Sequence, residues 1–331
     1  MDLDAYAEAR GPEWERLSEL ARRRSLTGAE SDELIERYQS GASDLSLIRS
    51  TVGESVYGDR LSVSLSRARL RFTGASANVL SRIPDFFVRQ LPAALYRIRW
   101  LCVAVSAASV VIAVLFAWWA IGNPAVLASM GDTASLESYA KEDFVDYYSE
   151  NSGQVFTGFV WTNNALLAAQ CVAFGIVGVY SPYLLFSNAM NLGMTAAIME
   201  YYDRLDVFFL YIAPHGQLEL YSIFVAGAAG LRIFWAWVAP GARTRAAALA
   251  EDARALFTVA IGLILALLVS GLIEGWVTRQ EWPWAVKIGI GTLALAGFLV
   301  YQWVLGRRAY RAGETGDLDE FEAGARQLVA G

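Results

Sequence analysis

Beyond residue 100 the apolar positions of this chain cease to be spaced and run together. Stretches long enough for the roughly 20 apolar residues that a bilayer core requires fall at 100–122, 156–180, 183–202, 218–239, 256–276 and 283–305. The pattern predicts an all-α, polytopic membrane helical bundle with six transmembrane helices over 100–305. The third run is the most polar, carrying Asn188, Asn191 and Thr195, and only Ser181-Pro182 joins it to the second. Residues 207–212 are apolar but too few to cross, and read as a re-entrant or interfacial turn before Pro214.

Residues 1–82 follow another pattern, with apolar positions recurring at helical spacing among charges. Pro12 sits where a first helical residue would, followed by Trp14, Leu17, Leu20 and Ala21. Thr27 and Glu30 form a capping-box signature. The helix it opens would carry Leu34, Ile35, Tyr38, Leu45 and Ile48 on its apolar side. A small cytoplasmic helical region, drawn as a hairpin, is expected. Residues 83–99 then interleave Phe86, Phe87, Leu91 and Tyr96 with Arg89, Arg97 and Arg99 around Pro92. This predicts an amphipathic interfacial elbow helix, aromatics in the acyl boundary and arginines on lipid phosphates. The plainer alternative is a juxtamembrane linker.

Composition supports a membrane class. Of 331 residues 55% are apolar and 18% charged, against about 25% charged in an average soluble protein. A net charge of −6 excludes a generally basic nucleic-acid binder, and no nucleic-acid partner is expected. The arginines set orientation. Residues 60–99 hold eight arginines and one acid, Asp85, whereas 123–154 holds six acids and one base, Lys141. Arg243, Arg245 and Arg254 lie between the fourth and fifth runs, and Arg307, Arg308 and Arg311 follow the sixth. The chain is expected in the plasma (inner) membrane, multi-pass, with the acidic loop 123–154 outside. The N-terminus and the tail 306–331 would be cytoplasmic.

Polar groups inside a bilayer are costly, so they mark candidate chemistry. His215 and Glu219 share a helix face, and Ser222, Ala226 and Gly230 continue that stripe. Gly271 and Gly275 form a GxxxG pair enclosing Glu274, and Asn163 and Asn164 open the second run at the same outer level. A cluster of Asn163, Asn164, His215, Glu219 and Glu274 is therefore expected beneath the outer surface. Each member has a plain alternative: His215, between Pro214 and Gly216, can cap a helix end or bond a neighbouring helix, and Asn188 and Asn191 can tie helices together. Arg232 can snorkel to the cytoplasmic interface. With a single histidine and two cysteines, His-x-x-x-Glu lacks the ligand set of a zinc protease. No metal, no cofactor and no enzymatic motif are expected. The glycine faces Ala226/Gly230 and Gly271/Gly275 suggest a two-fold homodimer; the competing expectation is a monomer that packs both faces internally.

Several of these residues carry a family likeness. Phe86-Phe87…Pro92…Arg97, Asn188…Asn191-Leu192-Gly193 and Pro214-His215-Gly216-x-x-Glu219…Gly227…Gly230 resemble the stage II sporulation protein M family of bacterial integral membrane proteins. Trp14…Leu17 and Leu34…Tyr38…Asp44-Leu45 resemble the N-terminal half of its longer, actinobacterial-type members. The resemblance implies a non-enzymatic membrane scaffold that anchors other membrane or cell-envelope proteins. In endospore formers these include peptidoglycan-degrading partners. For the longer form it implies a MoxR-type ATPase or an RDD-family protein as partner. The alternative is a permease-like transporter or channel subunit whose polar path is lined by His215, Glu219 and the asparagines.

Overall fold

A computed structural model describes residues 3–23, 25–53, 55–72, 83–148 and 152–316. Arg82, Glu150, the expected 82/83 boundary and tail residues 317–331 lie outside the described residues. The described residues are helical, without strands, and fall into two compact units, one within 3–83 and the other within 84–316.

The first unit has three helices rather than a hairpin: α1 (Leu3–Arg22), α2 (Gly28–Thr51) and α3 (Val56–Phe72). Helix α1 begins nine residues before Pro12 and runs through it. Pro12 leaves the Glu8 carbonyl without its helical donor, and both residues lie on the exposed face, where water can take that bond. Thr27 and Glu30 cap α2 reciprocally. Leu17, Leu20, Leu34, Ile48, Leu61 and Leu65 make the core, whereas Ile35, expected among them, is exposed. Asp44 is buried and accepts from Tyr6 Oη at 2.8 Å, Trp14 Nε1 at 2.8 Å and Arg10 Nε at 3.0 Å.

In the second unit a wide π turn (Phe86–Gln90) leads into α4 (Leu91–Arg97), which meets α5 (Arg99–Ile121) at Ile98. Short helices α6 (Pro124–Ala128), α7 (Thr133–Ser138) and α8 (Phe144–Asp146) follow, then α9 (Gly153–Ala173), α10 (Tyr180–Tyr201) and α11 (Leu205–Val238). Helix α12 (Arg245–Leu272) continues into a π turn, Ile273–Thr278. Helix α13 (Trp284–Val300) ends in another, Tyr301–Leu305, before α14 (Gly306–Arg311).

Among the described residues four stretches are long and apolar enough to cross a membrane: Arg99–Ile121, Leu205–Val238, Arg245–Thr278 and Trp284–Arg311. Their most apolar windows are 61% and 56% buried in the second and third, against 22% and 11% in the first and fourth. Helices α11 and α12 therefore form the centre. Helices α5 and α13 present Trp118, Val114, Leu293 and Val300 outward, an apolar surface that lipid, not water, would cover. Helix α9 packs on α11 and α12, and α10 on α5 and α11.

Residues 207–212 are not a separate turn, because α11 is continuous through Pro214 and is the longest helix described. Phe208, Pro214, His215 and Gly216 are buried, so tertiary packing keeps the segment helical across a residue that would break an isolated helix. At Gly291 the α13 backbone comes so close to the Pro214 carbonyl that any Cβ would collide with it. Ser181 and Pro182, expected as the link between two spans, form the first turn of α10, a position proline suits. The reversal occurs earlier, at Gly178, whose φ of +76° favours glycine.

Segment 83–99 differs from a helix lying free on lipid. Leu91 to Leu95 and Ile98 are buried in the protein. Arg97 is ion-paired to Asp252, and Arg99 stacks on the Tyr96 ring at 3.7 Å. Phe87 and Val88 are exposed, and so is the Arg89 side chain.

Candidate functional site

Two buried polar centres sit near opposite ends of the α11–α12 pair. At the first, one turn of helix separates His215 from Glu219 on α11, and both face the π turn of α12 that carries Glu274. One ligand-type atom from each of the three lies within 4.8 Å of those of the other two. Nε2 of His215 is 3.6 Å from Glu274 Oε1, beyond the range of a real hydrogen bond. Thr278 Oγ1 lies 3.4 Å from His215 Nδ1, and Ser270 Oγ is 3.0 Å from the His215 carbonyl and 3.5 Å from Glu219 Oε2. The Asn164 side chain bonds Glu219. The Tyr148 ring lies 6.2 Å from the imidazole.

The π turn matters here, since one residue more per hydrogen-bonded ring re-aims side chains at a helix end. Gly275, on the same turn, lets the Thr157 hydroxyl of α9 approach where a Cβ would collide. Lys287 on α13 is buried and donates from Nζ to the carbonyls of Thr278 and Gln280, each at 2.9 Å. It thus holds the frayed end of that turn. Sequence reading passed over Lys287, although it is one of two lysines in the chain and lies in an apolar run, which is itself a signal.

Beside this centre a cleft of about 490 Å³ opens under the 124–148 segment. Tyr139, Asp143, Tyr147, Asn188, Asn191 and Glu219 contribute to its wall. Glu219 therefore belongs both to the buried centre and to the cleft. Residues 124–148 are no loose loop, for Leu127, Leu136, Ala140, Phe144 and Tyr148 pack with Phe156, Ile198 and Phe208 into their own core.

The second centre went unnoticed in the sequence. Asp252 on α12 is 1% exposed and ion-paired to Arg97, to Arg232 at 3.1 Å and to Arg243 at 3.9 Å. Its Oδ2 has no directed hydrogen bond, but two of these guanidinium groups face it. Arg232, read from the sequence as able to snorkel to the cytoplasmic interface, is about a third exposed and ion-paired to this carboxylate. The signal that could have found Asp252 is an acidic pair, Glu251-Asp252, beside arginines at the start of an apolar run.

The structure thus unites His215, Glu219, Glu274 and Asn164. Asn163 is exposed on the other side of α9, because neighbouring residues on a helix point about 100° apart. Asn188 and Asn191 line the cleft. Ala226 is fully buried, and Gly230 abuts the Cys171 carbonyl and Ser181. Gly271 and Gly275 face Thr157 of α9. Both glycine faces are covered within one chain, which removes them as the basis for the expected dimer. Pro92, Phe86 and Phe87 stay at the 83–99 segment, where Pro92 O meets Gly306 and the two phenyl rings lie edge to face at 5.0 Å.

A family model described as Stage II sporulation protein M matches residues 104–279, from α5 through the π turn that carries Glu274. A second, described as a domain of unknown function (DUF8413), matches residues 4–74, the three-helix unit. No curated protein and no solved structure matches the chain.

Proposed function

Since this membrane protein belongs to the stage II sporulation protein M family, we propose that it is a non-enzymatic integral membrane scaffold for a cell-envelope complex. It crosses the plasma membrane six times, with α9 and α10 completing the four more apolar helices. Both termini are cytoplasmic, and the 124–148 segment faces out. The three-helix unit offers a cytoplasmic docking module. The outer segment and its cleft offer a second surface to envelope partners, and a MoxR-type ATPase or an RDD-family protein is a candidate on the membrane side.

The observation that carries this reading is the apolar plug between the two polar centres. Val225, Ala226, Ala228 and Ala229 of α11 meet Val259, Leu263 and Leu267 of α12, each at most 1% exposed. A permeation path needs continuous wet or polar lining, and this packing offers none along the central pair. Purified protein in liposomes should leave ions and small solutes impermeant. Flux above that of protein-free vesicles would overturn the scaffold in favour of the permease. For topology, a membrane-impermeant thiol reagent should label Ala134→Cys and spare Ala246→Cys in intact cells. The native Cys102 and Cys171 are buried and give little background.

A further inference from the structure

We propose that His215, Glu219 and Glu274 bind one divalent transition-metal cation of the zinc class, with an open coordination position toward the cleft. This goes beyond the scaffold reading and does not depend on it.

The hydrogen-bond pattern around the imidazole comes first. Thr278 Oγ1 donates its proton to the Ile273 carbonyl at 3.3 Å. Toward His215 Nδ1 it stands 3.4 Å away, where a hydroxyl can take the ring proton of the tautomer that frees Nε2 to ligate. That leaves the Nε2 lone pair facing Glu274 Oε1 across 3.6 Å. Donors held about 2.1 Å from a tetrahedral ion stand roughly 3.4 Å apart, so the spacing suits two ligands of one ion. An outer-sphere bond from Nδ1 is also the usual way a ligating histidine is oriented.

Charge and burial point the same way. Glu274 is 4% exposed, and its Oε2 is buried without a hydrogen-bond partner among the described residues. Neither Glu274 nor Glu219 is ion-paired to an arginine or lysine among the described residues. The buried cation at this end, Lys287, donates to the carbonyls of Thr278 and Gln280. Two close carboxylates in an apolar surrounding are costly as ions unless a proton or a metal cation joins them, and a divalent ion neutralises both. One imidazole and two carboxylates make a mixed nitrogen and oxygen set, which zinc, cobalt or manganese accepts more readily than calcium does. The Asn164 side chain and, at 3.5 Å, the Ser270 hydroxyl stand beside Glu219, where outer-sphere partners of a ligand stand. Three protein ligands leave a fourth position, and because Glu219 also lines the cleft, water or a partner's donor group can reach it from there.

The test uses the full chain in detergent or nanodiscs, stripped with chelator and titrated with Zn²⁺ or Co²⁺. One equivalent per chain is expected, with a Co²⁺ visible spectrum of four-coordinate type. Thr278→Val should weaken binding by about 10- to 100-fold, the range for an outer-sphere partner, and Glu274→Gln or His215→Gln by more. Glu142→Gln, an acid of the outer segment, should bind like the parent. Helix content and monodispersity check each variant. Should the ligand variants fail to fold, X-ray absorption of the Zn²⁺-loaded parent decides, since one imidazole with oxygen neighbours is required. Failure of the folded parent to bind, equal binding by Glu274→Gln, or an absorption spectrum without imidazole would each overturn the site.

Discussion

Asp252 and Glu274 lie on one continuous helical stretch, separated by about 33 Å of helical rise, and are buried to nearly the same degree. Their surroundings differ in kind. Three arginines from three parts of the chain converge on Asp252. Glu274 meets a second carboxylate and an imidazole, and one of its oxygens bonds to nothing among the described residues. The first centre carries its counter-charge within the fold and ties α4, α11 and α12 together. The second lacks a built-in counter-charge, yet it is walled by hydroxyls and an amide and opens on a cleft. Burial alone therefore does not distinguish the two carboxylates; the balance of charge around them does.

The comparison breaks most visibly at Asp252. Asp252→Ala leaves Arg232 without its carboxylate and Arg97 and Arg243 with Glu251 alone, and breaking a buried ion-pair set costs up to about 3–5 kcal/mol. A large drop in the thermal unfolding midpoint, or loss of the folded protein from membranes, is expected. A variant as stable as the parent would show that the arginine centre holds nothing together.

At the other centre the sign should depend on what replaces the carboxylate. Glu219→Leu removes the carboxylate that meets Asn164 and lies beside Ser270, and should lower stability by about 1–2 kcal/mol, the scale of interhelical polar contacts. Glu274→Gln, measured in chelator, should be at least as stable as the parent, because a neutral amide takes the place of an uncompensated buried charge. Thermal unfolding in the same detergent reads both. A loss at Glu274→Gln as large as at Asp252→Ala would erase the distinction between the centres.

The smallest effect sharpens the contrast from the exposed side. In the three-helix unit Arg16 and Arg37 hold the Glu33 carboxyl down at about 2, from an ordinary value of 4.5. A depressed folded-state value means stabilisation that is complete above pH 4.5 and lost as pH falls toward 2. These are surface pairs, so the effect is modest and fades with salt. A fluorophore at Gln39→Cys should report a denaturant midpoint that declines over this window, less steeply with Glu33→Gln. Equal slopes would assign the pH response to other carboxylates.

What the sequence determined is what acts within one segment. Continuous apolar runs mark membrane-type helices because transfer free energy is summed locally. Thr27 and Glu30 mark a helix start because a capping box closes over four residues. His215 and Glu219 read as one face because helical period alone puts them there. What depends on rotation and register between helices was decided by the tertiary structure. It turned Asn164 inward and Asn163 outward, covered both glycine faces within the chain, and kept α11 helical through Pro214. It also brought Arg97 to Asp252 across 155 positions and set Glu274, on its π turn, against His215. Hydrophobic periodicity says which stripe of a helix is buried. It does not say which partner the stripe meets or at what height, since that is fixed only when side chains from several helices must fill the same space.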